Sequence, residues 1–515
     1  MNKTLRTAAV LAIVFVCIFS LTGLAWGVTK LTILHTNDTH GHLMPFSYPA
    51  IVQEGSDLEQ ISARHDIGGV ARRASLVARI RADLTRQGAT CWLIDAGDFC
   101  DGSAFSTEYH GDADVAAMNR TGYDLGTIGN HEFNNSLAQL KKLIASARYQ
   151  IVCANATERE SGDPLTTPYV IRQIGDARVG IFGLVTNEAG SYPAAKEGVA
   201  IANDVQTARE MVARLRGDER ADLVILISHC GKDADEGIAR DVPGIDVIVG
   251  GHSHSRMPLG ELIWRTDDLK VDEVNGTIIV QAFQWGGELG RLDLLLEKTA
   301  AGAWRVERYR ERLIPITSDY ADDPVVAAVV DSFWKPISAR YGEVVGTAAA
   351  DFSERGDDQA QYNLVADAVR EAYHADIDFE NEGGVRAPII AGPITRATLA
   401  EVDPFQNTVV TFKMKGNEIR KLLLQRKPAV SGIRYRIFGG NLESVTMADG
   451  RSLDDGHAYA CATNSYFAGR ALGGFEITDR QDTGKNRFDV ILESIKKAGT
   501  VAPAYDGRRV VIEAR

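Results

Sequence analysis

Five short apolar runs, each ending on a residue that can hold a cation, constrain this chain more than any other feature of it. The runs LTILH (31 to 35), CWLIDAG (91 to 97), DLGTIGN (124 to 130), DLVILISH (222 to 229) and IDVIVGG (245 to 251) are aliphatic, β-branched and bounded by glycine or polar residues, the pattern of buried strands. Between them, residues 69 to 87, 135 to 148 and 204 to 217 carry Ala, Leu, Val and Ile at helical spacing. Strands alternating with helices predict an α/β fold, in which the C-terminal strand ends converge on one rim of a sheet. Residues far apart in sequence then become neighbours.

The residues at those ends share one chemistry. Asp38 and His40 follow the first run, Asp98 the second, Asn130 and His131 the third, His229 the fourth, and His252 and His254 the fifth. Carboxylate, imidazole and amide oxygen together suit Zn, Mn or Fe in a hydrolytic centre. Two ions need one bridging carboxylate and terminal ligands on each. Asp98 is the candidate bridge. Asp38, His40 and His254 would complete one ion, and Asn130, His229 and His252 the other. His131 is left free to stabilise charge on phosphoryl oxygens or to protonate a departing alkoxide. His35, His42, His65, His110, His374 and His457 have no such context and read as ordinary core or surface histidines.

The order DxH, GD, GNHE, H and GHxH resembles the metallophosphoesterases, and the flanks ILHTNDTHGHL, GNHEFN and GGHSH resemble their 5′-nucleotidase and UDP-sugar hydrolase branch, of bacterial secreted or periplasmic type. The resemblance continues through Arg355, the segment YNLVADA around Asn363, NEGGVR from Asn381 to Arg386, and DPFQNTVV with Phe405. It implies an N-terminal metallophosphoesterase domain of two packed β-sheets flanked by helices, a C-terminal α/β nucleotide-binding domain, and two divalent ions as cofactors. The substrate would be a small nucleotide, held by Arg355, Asn381, Arg386, Phe405 and Tyr466, with phosphate as product. UDP-sugars and 2′,3′-cyclic nucleotides are the alternative substrates.

Two positions depart from the family pattern. The family has GNHEFD, whose aspartate orients and charges the catalytic histidine, whereas this chain has Asn134 there. An amide cannot offset an imidazolium, so the sequence predicts that Asn134→Asp raises turnover. The family's second base-stacking aromatic is followed by a GGDGF turn whose aspartate holds the ribose. In NSYFAGRALGGF (464 to 475), Tyr466 takes the stacking place and no aspartate follows. These departures also leave open a nucleotide-binding protein with vestigial chemistry.

A chain of 515 residues exceeds what one core usually supports. The expected division is a leader at 1 to 27, a catalytic domain at 28 to 317, a linker helix at 318 to 342 opening on SDYADDP, and a nucleotide-binding domain at 343 to 515. In the leader, Lys3 and Arg6 precede an apolar run from Ala8 to Ala25, and Ala25-Trp26-Gly27 supplies small residues before a cut at Val28, the form of a secretory signal. A periplasmic or secreted location follows, without stable membrane insertion once the leader is cleaved. Net charge is −13, and no basic stripe exists to hold a nucleic acid polymer. Cys91, Cys100, Cys153, Cys230 and Cys461 form no disulfide framework, and Cys100 and Cys230 read as small buried residues.

Overall fold

The structure, a computed structural model, describes residues 28–49, 56–264, 274–352, 354–355 and 358–512. The leader lies outside the described residues, as do the side chains around Arg355. Among the described residues no helix is long and apolar enough to cross a membrane.

The N-terminal half is built on two six-stranded sheets. In the first, Val28–Thr36 pairs in parallel with Thr90–Asp95, which continues through Leu125–Gly126 to Gln150–Ile151, while Glu288–Lys298 and Trp304–Pro315 extend the other side antiparallel. In the second, Ala177–Val185, Leu223–His229, Val247–Gly250 and Gly276–Val280 run parallel between two antiparallel edge strands. Alternation along each strand decides which face a side chain joins. Ile33, Ile94, Ile225, Ile227 and Val249 point into the layer between the sheets. Leu34 and Leu93 turn to the helices outside the first sheet, and Val224 and Leu226 to those outside the second. Because both faces are covered, the strands read as continuous apolar runs. The expected single rim is therefore a seam shared by two sheets.

The helices begin where the sequence supplies caps. Ser136 accepts from the N–H of Gln139 at the head of Leu137–Ser146, and Asn203 does the same for Asp204–Gly217 through Gln206. Asp323 caps Pro324–Tyr341 through the N–H groups of Val325 and Val326, with Pro324 in the first turn. That helix packs on both halves: Val326 and Val330 lie against Val70, Ala74 and Ala113, whereas Ile337 and Tyr341 reach Ala400.

Beyond it, a five-stranded sheet runs in the order Ala429–Ser431, Ile377–Glu380, Ala458–Asn464, Thr408–Lys415, Ile477–Asn486. Its upper end is held by a fully buried arginine. Arg487 donates to both oxygens of Asp403 at 2.9 and 2.7 Å, to the carbonyl of Gly384 at 2.7 Å, and to Glu380. Burial opposes its charge, but Asp403 and Glu380 hold it protonated beyond its ordinary range. Asn464 then joins Glu380 to Asn381 at 2.6 and 3.0 Å. One buried cation thereby anchors the segments that carry Asn381, Arg386 and Phe405.

Removing one partner of a buried ion pair leaves the other charge uncompensated. Arg487→Met should cost about 3–5 kcal/mol, read as a lower denaturation midpoint of the C-terminal half. An unchanged midpoint would show that the carboxylates accept protons and need no cation.

Candidate metal centre

Seven candidate ligands meet at the seam. Six of them, with His131, fall into overlapping groups whose donor atoms lie within 4.8 Å of one another: Asp38, His40 and His254; Asp98, His229 and His252; and His40, Asp98 and His131. Oδ2 of Asp98 stands between them, 3.0 Å from Nε2 of His229 and 4.0 Å from Nε2 of both His40 and His131. Its Oδ1 accepts the backbone N–H of His131 at 2.8 Å. Asn130 points Oδ1 at Nε2 of His229, 3.2 Å away, because its amide nitrogen donates to the Tyr192 hydroxyl at 3.0 Å.

The outer nitrogens of the rings are held, which aims the inner ones. Nδ1 of His229 donates to the carbonyl of Ala96 at 2.7 Å, Nδ1 of His40 to that of Asp101 at 3.0 Å, and Nδ1 of His254 to Oε1 of Gln284 at 2.5 Å. Such outer partners fix ring tautomer and orientation at metal sites. Nε2 of His40 and Nε2 of His254 converge at 3.1 Å. Oδ1 of Asp38 is buried without a hydrogen-bond partner, 3.2 Å from Nε2 of His254, while its Oδ2 accepts from Asn37 and from the N–H of His252. Lone pairs turned on one another in a buried space fit cations.

Backbone shape serves the same end. Asp38, His40, Asp98, His252 and His254 all adopt positive φ, between 48° and 74°, a region that Asp and His tolerate better than most residues but that still costs energy. The turns need close approach too. A Cβ on Gly129 would overlap Oδ1 of Asp98, and one on Gly97 would meet the N of Gly129 at 2.6 Å. Behind the ligands, the buried carboxylate of Glu132 accepts from the N–H groups of Asp98, Gly129 and Cys100 and ties both loops together. Burial, with Asp98 nearby, pushes Glu132 up to about 7.

The electrostatics prepare the centre for cations. Burial disfavours charge on Asp98, but the imidazoles of His229 and His131 outweigh it and hold the carboxyl well below its usual range. Asp38 is lowered likewise, with burial overcome by His254. Burial and the Arg386 guanidinium keep His40 neutral, well below its usual value. Those are the protonation states that metal binding requires, whereas against the effect of burial Asp98 pushes His229 up to about 10, so that this ring would release a proton as an ion binds.

The C-terminal half closes over the centre. Nη2 of Arg386 lies 3.2 Å from Nε2 of His40. A cavity of about 530 Å³ opens from there, bounded by His131, Asn134, Asn381, Arg386, Phe405 and Tyr466. The Phe405 ring stacks toward His131 with centroids 6.2 Å apart, and the Arg470 guanidinium covers Tyr466 at 5.4 Å. Every sequence-predicted site residue therefore gathers here except Arg355, whose side chain lies outside the described residues. Of the histidines read as ordinary, His35 is buried against Glu311 and His42 stacks on Trp285. All five described cysteines are free, and Cys100 and Cys230 are buried.

Three residues at the site carry no signal in the local sequence, Asp101, Tyr192 and Gln284, and Glu132 lies inside the GNHE motif without showing its bridging task there. Asp101 changes the reading of Asn134. Its Oδ2 lies 3.2 Å from Nδ1 of His131 and also accepts from the amide of Asn134. A carboxylate thus faces His131 after all, from a different loop.

Comparison with known proteins agrees with the geometry. Residues 31–256 match the model of the calcineurin-like phosphoesterases, and residues 344–480 match the C-terminal domain of 5′-nucleotidases. The chain belongs to the 5′-nucleotidase family of metallophosphoesterases. A 5′-nucleotidase of Vibrio cholerae is 29% identical over 82% of this chain and 80% of its own length. The trifunctional nucleotide phosphoesterase YfkN of Bacillus subtilis is 26% identical over 94% of this chain, which spans only 35% of that longer protein. The structure of a 5′-nucleotidase precursor from Thermus thermophilus superposes with a TM-score of 0.81 at 27% identity, covering 94% of this chain and all of that one. This metallophosphoesterase is accordingly a metal-dependent phosphoester hydrolase with two divalent ions as cofactors.

If Asp98 serves both ions, Asp98→Ala should lower metal content at both sites and remove activity, whereas His457→Ala, which alters a ring packed on Tyr459, should do neither. Elemental analysis finding two full equivalents in Asp98→Ala would overturn the bridging role.

Proposed function

We propose that this protein releases inorganic phosphate from nucleotides outside the cytoplasm. One observation carries the substrate class: the cavity beside the metal centre, lined by His131 and Arg386, is also lined by two aromatic rings, Phe405 and Tyr466. A small phosphoester without a planar group would have no use for them. The names of the relatives from Vibrio cholerae and Thermus thermophilus support the same class. The acidic net charge favours small nucleotides over nucleic acid polymers.

In this reading Asp38, His40, His254 and Asp98 hold one ion and Asp98, Asn130, His229 and His252 the other. Bound ions of this kind supply the nucleophile and neutralise phosphoryl charge. Arg386, poised beside His40, receives phosphoryl oxygens. His131 stays off the ions, where its ring faces the cleft and meets the leaving oxygen. Phe405 and Tyr466 take the base between them, and Asn381 braces the ribose side of the cleft. Arg355 is assigned to the phosphate end from the family resemblance alone. Residues 28–317 form the catalytic unit, 318–342 the linker and 343–515 the nucleotide-binding unit. The basic and apolar leader at 1–27 supports export.

Phosphate release from a panel of AMP, UMP, a UDP-sugar and a 2′,3′-cyclic nucleotide, with Mn²⁺ or Zn²⁺, tests this proposal. Phe405→Ala and Tyr466→Ala should each cost about 1–3 kcal/mol in kcat/KM whichever base is present. With no aspartate after Tyr466, the charge-assisted bond to the ribose, typically about 1.5–3 kcal/mol, is missing. AMP and dAMP should therefore be hydrolysed at similar rates. A strong ribose preference, or an aromatic pair truncated without loss, would refute this account of specificity.

A further inference from the structure

We infer that Asp101 is the positioning residue for His131, so that in this chain the carboxylate partner of the catalytic histidine has moved from the loop after His131 to the loop after Asp98. The inference rests on the phosphoesterase assignment of the centre and adds a residue that the family motif does not contain.

Position 101 is built for the task. Its backbone has φ 73°, a conformation uncommon for a residue with a side chain, although aspartate tolerates it better than most. Three contacts hold the residue in place. The N–H of Asp101 donates to Oγ of Ser106 at 2.8 Å, its carbonyl accepts from Nδ1 of His40 at 3.0 Å, and its carboxylate faces Nδ1 of His131 at 3.2 Å. One residue thereby sets two rings: His40 through the main chain and His131 through the side chain. Gly102 permits the turn, since a Cβ there would meet the Cβ and carbonyl of His40 at 2.8 Å.

Asn134 completes the arrangement. Its Nδ2 donates to the same carboxylate oxygen and lies 2.9 Å from Nδ1 of His131. The three groups therefore form a triangle in which only Asp101 is acidic. With Oδ2 of Asp101 accepting from Nδ1–H, the proton is fixed on Nδ1 and Nε2 is the nitrogen that faces the reaction, as in other carboxylate-oriented histidines. An aspartate at both positions would press two carboxylates together, and an amide at both would leave Nδ1 without a charged acceptor. The chain keeps one acid and one amide, and the amide stands at the position where the family motif has its aspartate. This reverses the sequence-based expectation for Asn134→Asp, which now adds a second negative group against the first.

The triangle makes an exchange experiment decisive. Asp101→Asn, Asn134→Asp and the double variant are compared with the wild type as zinc-loaded full-length proteins. Metal content is measured in each, kcat and KM for AMP are determined, and the tautomer of the His131 ring is followed by ¹H–¹⁵N correlation, with His131→Gln to assign the signal. Asp101→Asn should lower kcat by roughly 10²-fold or more with KM and both metal equivalents retained, and the Nδ1–H signal of His131 should shift or vanish. The double variant should recover most of the lost kcat and restore that signal, because the carboxylate introduced by Asn134→Asp would place an oxygen where Nδ2 now lies. Wild-type kcat in Asp101→Asn, or a double variant no better than Asp101→Asn, would overturn the inference. If the wild type hydrolyses no nucleotide, the proposed substrate class falls while the ring signal still decides the role of Asp101: an unchanged His131 spectrum in Asp101→Asn refutes it.

Discussion

The carboxylate of Asp98 is the group on which the rest of the catalytic half depends. It is buried at the seam of two sheets, where an uncompensated charge is among the most costly things a protein can hold. One oxygen takes a backbone N–H from the next loop and the other faces an imidazole from the second sheet. Those contacts link strand ends that belong to different sheets. The same oxygen lies 4.0 Å from His40 and 3.0 Å from His229, one ring of each ligand group. The left-handed turns at Asp38, His40, Asp98, His252 and His254 and the crowded glycines at 97 and 129 are the local cost of bringing ligands so close. The packed apolar layer between the sheets supplies the rigidity that keeps them there.

The two halves divide the work. The N-terminal sheets hold the candidate metal ligands, on strand ends whose positions the core determines. The C-terminal half brings the cavity-lining Asn381, Arg386 and Phe405 on loops, and these need their own anchor. Arg487 provides it by fastening Glu380, Asp403 and Gly384 from beneath. The helix Pro324–Tyr341 packs on both halves. Arg386 and Phe405 then meet His40 and His131 across the cleft.

Much of this was legible in the sequence. The strand runs at 31 to 35, 91 to 97, 222 to 229 and 245 to 251 correspond to strands with shifted ends, and the three helical stretches to Val70–Arg86, Leu137–Ser146 and Asp204–Gly217. The run at 124 to 130 is different: only Leu125–Gly126 pairs, because the chain leaves the sheet early to seat Asn130 and enters the short 3₁₀ turn His131–Phe133. Strand-like composition there reflects burial near the centre, not pairing. The partners that aim the ligands were not legible. Glu132 sits inside a recognisable motif, yet its task of bridging two loops depends on where Cys100 lies. Gln284 and Tyr192 are ordinary residues until the fold sets them beside His254 and Asn130.

Short fragments of sequence carry the candidate ligand set, the two-part organisation and the class of chemistry, because the residue types in each fragment have few other uses together. Asn134 shows the limit of that kind of evidence. Within its own motif it reads as a lost acid, since only neighbours along the chain are visible there. Tertiary structure brings Asp101 to the same imidazole from a loop on another strand end, so whether His131 has a charged partner was decided by a contact thirty residues distant in sequence. Hydrogen bonds between side chains act through a few ångströms of space, and only the packing of the two sheets determines which residues share it.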